Sequence, residues 1–292
     1  MGVIRLGTAS WADRQLLASG WYPREARTPA QRLTYYARQF DIVEADTSYY
    51  AIPAPETTAG WVAATPAGFT FDVKAFSLLT GHPTPVRALP PDLRPEGVTG
   101  TVRRSDLPGA TVDAVWRRFH AALEPLRPRL GTVLLQFPPW LAHGEAAIRR
   151  IEDTIARCRP LRPAVELRHG SWFEGSRRSL ETLLMLQRAE ASFVAVDMPQ
   201  GFPSSVPPVL AVTASPAVVR FHGHSKVWER GSKEDKFRYA YSERELADWA
   251  ERLRMLSNDA DEVHVLMNTC CAGQAQRDGA RLAELVGVRM AA

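Results

Sequence analysis

Short aliphatic and β-branched runs recur along the chain, separated by longer stretches whose apolar positions follow a helical period. The runs are Val3 to Leu6, Asp41 to Ala45, Phe69 to Val73, Thr132 to Phe137, Ala164 to Leu167, Ser192 to Val196, Ala217 to Phe221 and Glu262 to Met267. The fourth is apolar at successive positions, as expected of a parallel strand covered on both faces. Thr28-Pro29-Ala30-Gln31 carries a capping Thr and a proline at the first helical position, and opens a helix whose apolar face is Leu33, Tyr36, Ala37 and Phe40. Further helices are predicted over 57–64, 112–126, 145–158, 180–189, 242–256 and 275–286. Only a short, proline-punctuated segment follows the sixth run, so the helix there is expected to be missing or irregular.

Eight strands alternating with helices predict parallel pairing through right-handed crossovers, and a closed (β/α)8 barrel of the TIM type, as a single domain, accounts for the count. No Gly-x-Gly-x-x-Gly follows any strand, which removes the usual dinucleotide-binding fingerprint. The stretch 80–109, rich in Pro, Gly, Arg and Thr, reads as a long loop after the third strand, an excursion over the barrel mouth serving as a lid or binding loop.

Composition changes this picture little. The length of 292 residues, with 45% hydrophobic and 23% charged, is that of an ordinary globular chain. Cys158, Cys270 and Cys271 are too few and too unevenly spaced for a disulfide framework, which points to a reducing compartment. With no secretion signal at the N-terminus and no apolar run of membrane-spanning length, a cytoplasmic protein without membrane contact is expected. The net charge of +4 and pI near 9.1 permit anionic partners. The pairs Arg117-Arg118 and Arg149-Arg150 fall within predicted helices, however, and Arg177-Arg178 just before one, as on a solvated helix face.

Active sites of such barrels lie at the C-terminal ends of the strands. Nearly every run here finishes on a polar side chain: Glu44 and Asp46, Lys74, Gln136, Glu166 with Arg168 and His169, Asp197, Arg220 with His222, and Asn268. Alternate residues of a strand share a face, so Glu166 with Arg168, and Arg220 with His222, are expected to converge near the barrel axis. Buried charges need partners, so a Glu–Arg network is expected there whatever the function.

Several strand-end motifs resemble those of the domain-of-unknown-function 72 (YecE-like) family. They include Gly7-Thr8-Ala9-Ser10-Trp11, Val43-Glu44-Ala45-Asp46-Thr47-Ser48-Tyr49-Tyr50, Leu135-Gln136-Phe137-Pro138-Pro139, Glu166-Leu167-Arg168-His169-Gly170-Ser171-Trp172 and Arg220-Phe221-His222-Gly223. The resemblance spans nearly the whole chain in order and implies a TIM-like barrel, while leaving the activity open. Two positions depart from the family pattern: Asp46 stands where an Asn is usual, and Thr269 replaces the second amide of an Asn-Asn pair after Asn268.

The leading expectation is an enzyme performing acid–base chemistry on a small polar or anionic, sugar- or phosphate-like substrate. Glu44, Glu166, His222 and Lys74 are the candidate catalytic groups. Arg168, Arg220, Gln136, Asn268, Asp46, Tyr50, His169 and Trp172 are the candidate substrate contacts. His222 or His169 would titrate near neutrality, with Glu166 or Glu44 as partner, and a desolvated Lys74 could form a Schiff base. Glu44, Glu166, Asp197, His169 and His222 are the right types for a divalent metal, against which Arg168 and Arg220 in the same place argue; no cofactor is assigned. Cys270-Cys271 could supply a thiol near the mouth, but nothing adjacent would activate it. The alternatives are a nucleic-acid-binding or processing protein, drawing on Arg103-Arg104 and the loop from Lys226 to Lys236, and a barrel that binds a ligand without reacting.

Overall fold

The computed structural model describes residues 1–269 and 271–288. Its barrel strands are β1 (Val3–Thr8), β2 (Ile42–Ala45), β3 (Thr70–Lys74), β4 (Leu130–Gln136), β5 (Pro163–Glu166), β6 (Ser192–Asp197), β7 (Ala217–Phe221) and β8 (Glu262–Met267). They close into one barrel in sequence order, β8 pairing with β1, and every pairing is parallel. The strands fall within a residue or two of the predicted runs. Each is apolar towards the surrounding helices, which is why almost every strand position is buried.

The outer layer is α1 (Pro29–Tyr36), α2 (Pro55–Ala63), α3 (Gly109–Leu123), α4 (Glu145–Cys158), α5 (Gly175–Arg188), α6 (Glu243–Asp259) and α7 (Gln274–Val286). The predicted start of α1 is a complete capping box: Thr28 accepts from the Gln31 amide, and Gln31 reaches back to the Thr28 amide. No helix lies between β6 and β7; an extended, proline-punctuated connection replaces it, as the sequence predicted. The paired arginines sit on helix surfaces, Arg118 with Asp92, Arg149 with Glu145, Arg177 with Glu181 and Arg178 with Glu174. Among the described residues no helix is long and apolar enough to cross a membrane.

The stretch 80–109 differs from the long loop read in the sequence. It folds into a small antiparallel pair, Thr84–Pro85 with Thr101–Val102, joined by 3-10 turns. Val86, Leu89, Val102 and Leu107 bury their side chains in the main core, and Arg104 is tied to Asp153 on α4. Four apolar anchors among the prolines and glycines hold it as structure, and none of its residues lines the cavity at the mouth.

The barrel interior carries two polar storeys. Near the N-terminal end His264 on β8 meets the Asp72 carboxylate on β3 at 2.9 Å, and Asp72 also accepts the Thr132 amide at 2.7 Å. Gly131 lies against this pair: a methyl group there would collide with the Asp72 carboxylate and come within 2.7 Å of His264 Cε1. The second storey, towards the C-terminal end, is the candidate site.

Candidate functional site

Arg220 projects from β7 into the barrel centre, fully buried. Its Nε and Nη2 donate to the two oxygens of Glu44 on β2 at 2.8 and 2.6 Å, and its Nη1 donates to Glu166 Oε2 on β5. One guanidinium thus holds two buried carboxylates from distant strands, the bidentate geometry that arginine provides and lysine does not.

Glu166 is the hub. Its Oε1 accepts from Gln136 Nε2 at 2.7 Å, Arg168 Nη1 at 3.0 Å and His222 Nε2 at 3.1 Å. Burial opposes its charge, but Arg220, His222 and Arg168 outweigh burial and hold its carboxyl well below the usual range. Among the described residues Glu44 has Arg220 alone as an ion-pair partner. Burial, aided by the negative charge of Asp46, raises its pKa to about 7 against the pull of Arg220 and Lys74.

A fixed negative charge on Glu166 sets the orientation of its neighbours. An imidazole nitrogen facing a carboxylate must carry the proton, so His222 is the Nε2–H tautomer and its Nδ1 accepts from Asn268 Nδ2 at 2.9 Å. Gln136 likewise turns its NH2 towards Glu166. Neither amide oxygen, of Gln136 or of Asn268, takes a hydrogen bond from the described residues. Both residues line the cavity above, so the buried carboxylate presents two acceptors to a ligand. Burial also pushes the His222 pKa down to about 4, against the opposing effect of Glu166.

The cavity occupies about 480 Å³ at the mouth, within the range of small-molecule sites. Lys74 and Arg168 bring positive charge to it. Lys74 Nζ is 3.2 Å from Asp46 and lies over the Tyr49 ring at 4.7 Å. The Arg168 guanidinium lies over Trp228 at 5.1 Å, and its Nε has no partner among the described residues. Trp228 belongs to the connection between β7 and α6, which also sends Glu234 and Phe237 to the cavity wall. That connection is fastened through Tyr241, which donates to Asp197 at 2.6 Å and accepts the Gly223 amide at 3.0 Å. His224 bridges Asp197 and Glu245 at 3.0 and 3.2 Å.

The predicted residues therefore separate by depth. Lys74, Asp46, Tyr50, Gln136, Arg168 and Asn268 line the cavity. Glu44, Glu166, Arg220 and His222 are 0% exposed and lie beneath its floor. Arg220, expected as a substrate contact, has its guanidinium engaged by the two carboxylates. His222, expected as an acid or base, has both ring nitrogens engaged. His169 pairs with Ser171 at 2.8 Å, and Trp172 is buried with its Nε1 on the Leu141 carbonyl; neither lines the cavity. Asp197, read as a possible metal ligand, is taken by Tyr241 and His224. Among the described residues no three His, Cys, Asp or Glu side chains are placed to hold a metal ion. Cys271 lines the cavity, while Cys270 lies outside the described residues.

The wall residues Thr8, Ser10, Phe237 and Thr269, and the start of α7, did not emerge as candidate contacts from the strand-end reading. One sequence signal for the fastening of the β7–α6 connection is Ser242-Glu243-Arg244-Glu245, a capping box whose Glu also holds Tyr239 and His224.

Fold and site together define a (β/α)8 barrel with a small-molecule-sized cavity resting on a closed ionic network. Residues 5–292 match the family model described as "Protein of unknown function DUF72", and the chain belongs to that family. The UPF0759 protein YunF of Bacillus subtilis is 30% identical over 296 residues, covering 98% of this chain and 95% of YunF. The UPF0759 protein YecE of Escherichia coli K12 is 26% identical over 172 residues, covering 59% of this chain and 50% of YecE. Crystal structures of DUF72 family proteins from Enterococcus faecalis and Thermotoga maritima superpose with TM-scores of 0.80 and 0.77, at 25% and 26% identity. Each covers 98% of this chain, and the matches span 96% and 99% of those proteins.

Proposed function

We propose that the barrel mouth is the active site of an enzyme that performs acid–base chemistry on a small, hydroxylated, anionic substrate. The observation that carries this reading is the composition of the cavity floor. Two cations, Lys74 and Arg168, stand beside two amide oxygens whose orientation is locked from below. The cations suit a carboxylate, phosphate or developing oxyanion, and the amide oxygens suit substrate hydroxyls.

The proton-moving pair in this reading is Asp46 with Lys74. Both reach the cavity, unlike His222, and they place an acceptor and a donor 3.2 Å apart on one wall. Asp46 would remove a proton from a substrate carbon or hydroxyl, and Lys74 would protonate or hold the oxygen on which charge develops. Arg168 would anchor the anionic group. Glu44, Glu166, Arg220 and His222 act through the groups above them and are positioning residues.

The test is a panel of sugar acids and sugar phosphates, screened for binding by thermal shift and for turnover by proton NMR. Lys74→Met is expected to keep measurable binding of a turned-over compound while its kcat falls by about 10²–10⁴, the usual contribution of one acid–base group. Full turnover by that variant would remove Lys74 from the mechanism.

A further inference from the structure

The connection between β7 and α6 is a loop closed at its neck. Gly223, at its start, donates its amide to the Tyr241 hydroxyl at its end, and Ser225 Oγ donates to the Asp235 carbonyl at 2.7 Å. Gly223 is left-handed, with φ of 74°, and a methyl group there would collide with the Tyr239 side chain, so a glycine is needed for the two ends to approach this closely. The body of the loop carries Trp228 against Arg168, and Glu234 and Phe237 on the cavity wall. Such a loop moves as a unit when its neck is released.

His224 sits in that neck between two acids from different elements. Its Nε2 faces Asp197 Oδ1 at the end of β6 at 3.0 Å, and its Nδ1 faces Glu245 Oε1 in the first turn of α6 at 3.2 Å. Both acids are acceptors elsewhere as well: Asp197 from the Tyr241 hydroxyl at 2.6 Å, and Glu245 from the Tyr239 hydroxyl and the Ser242 amide at 2.5 and 2.8 Å. Tyr239 and Tyr241 also lie against the His224 ring, at 5.0 and 5.8 Å. Burial and the neighbouring carboxylates push both phenols above their ordinary range, so they remain donors. On α7, Asp278 accepts the Tyr241 amide at 3.3 Å, with Arg277 beside it. Asp197 and Glu245 have no lysine or arginine partner among the described residues.

An imidazole has two donors only as the cation, so a ring with a carboxylate at each nitrogen is an imidazolium. The hydrogen bond to Asp197, with the charges of Asp197 and Glu245, outweighs burial and raises the His224 pKa above its ordinary 6.5. Its side chain is 34% exposed and exchanges protons with solvent, unlike the buried His222 and His264.

We propose that His224 is a pH-sensitive latch for this loop: as the imidazolium it ties the neck to β6 and α6 and closes the cavity wall, and as the neutral ring it releases one of the two. The neutral ring sets a lone pair against a carboxylate oxygen, and neither acid can turn away without losing its own tyrosine. The loop gives way instead, and Trp228 leaves the Arg168 guanidinium that it covers. Because the folded pKa is raised, the latch is fully formed below about 6.5 and is lost as pH rises through the folded value. It does not depend on what the cavity binds.

Two measurements on the full chain test this: hydrogen exchange read as protection factors from about pH 5.5 to 9.5, and 15N NMR of the histidine rings. Both nitrogens of His224 are expected to carry protons at about pH 6, and the protection of 226–238 to fall ~10-fold as His224 titrates, the weight of one charge-assisted hydrogen bond. His224→Gln, which keeps one donor and removes the charge, should show the low protection at every pH. A His224 that is neutral at about pH 6, loop protection that ignores its titration, or a variant as protected as the wild type at that pH would each overturn the latch. Barrel strands losing protection together with the loop would assign the change to the whole fold and overturn it as well.

Discussion

The Arg220 guanidinium decides much of this site, and its role follows from charge and burial. A buried ion pair adds little net stability, but removing one partner leaves the other uncompensated. Arg220→Met would leave Glu44 and Glu166 facing each other without their shared cation. The expected loss is roughly 3–5 kcal/mol in denaturant unfolding. A loss below about 1 kcal/mol would mean that the network is not closed by Arg220. His222 illustrates how far residue types alone lead. Its position at a strand end after Arg220 was legible in the sequence. What was not legible is that Glu166 and Asn268 take both its nitrogens, because those partners lie 56 and 46 residues away. Alternation along a strand says which residues face inward; it does not say how deep each lies. For that reason the charged residues of the mouth could be named but not divided into floor and foundation.

At the scale of elements, local signals were read best. The strand runs and the Thr28 capping box reappear within a residue or two, because both are set by neighbours close in sequence. The stretch 80–109 was harder: its composition is that of a loop, and its four buried apolar anchors have no period to reveal them. The connection between β7 and α6 leans on the capping box at Ser242. Ser242 accepts the Glu245 amide at 3.3 Å, and Glu245 Oε1 accepts from Tyr239 at 2.5 Å. Ser242→Ala is expected to cost about 1 kcal/mol and to speed amide hydrogen exchange across 224–241. Exchange in that segment unchanged from wild type would show that the Ser242 cap does not fasten it.

For the whole molecule, the lower storey of the barrel predicts how stability varies with pH. Burial disfavours charge on His264, yet Asp72 and Glu262 outweigh it and raise its pKa from 6.5 to about 9. A histidine with a raised folded pKa stabilises fully below its unfolded value, and the contribution fades as pH rises through the folded value. The protein should therefore lose roughly 3 kcal/mol between about pH 6.5 and 9 through this group. His264→Gln should flatten that slope in denaturation curves measured across the window. An equal slope in the variant would assign the dependence elsewhere; Glu44, raised from 4.5 to about 7, gives its own loss of stability below this window.

The fold and the ionic network give the molecule a rigid floor, and the proposed activity requires that floor to hold an anionic, hydroxylated ligand through Arg168. The most direct test is isothermal titration of a panel of sugar acids and sugar phosphates into the wild type and into Arg168→Met, which keeps the volume of the stem and removes the charge. The account predicts at least one compound bound by the wild type with affinity at least ~10-fold weaker in the variant, the effect of about one charge-assisted hydrogen bond. Equal affinity in both proteins, or binding only of neutral compounds, would contradict it.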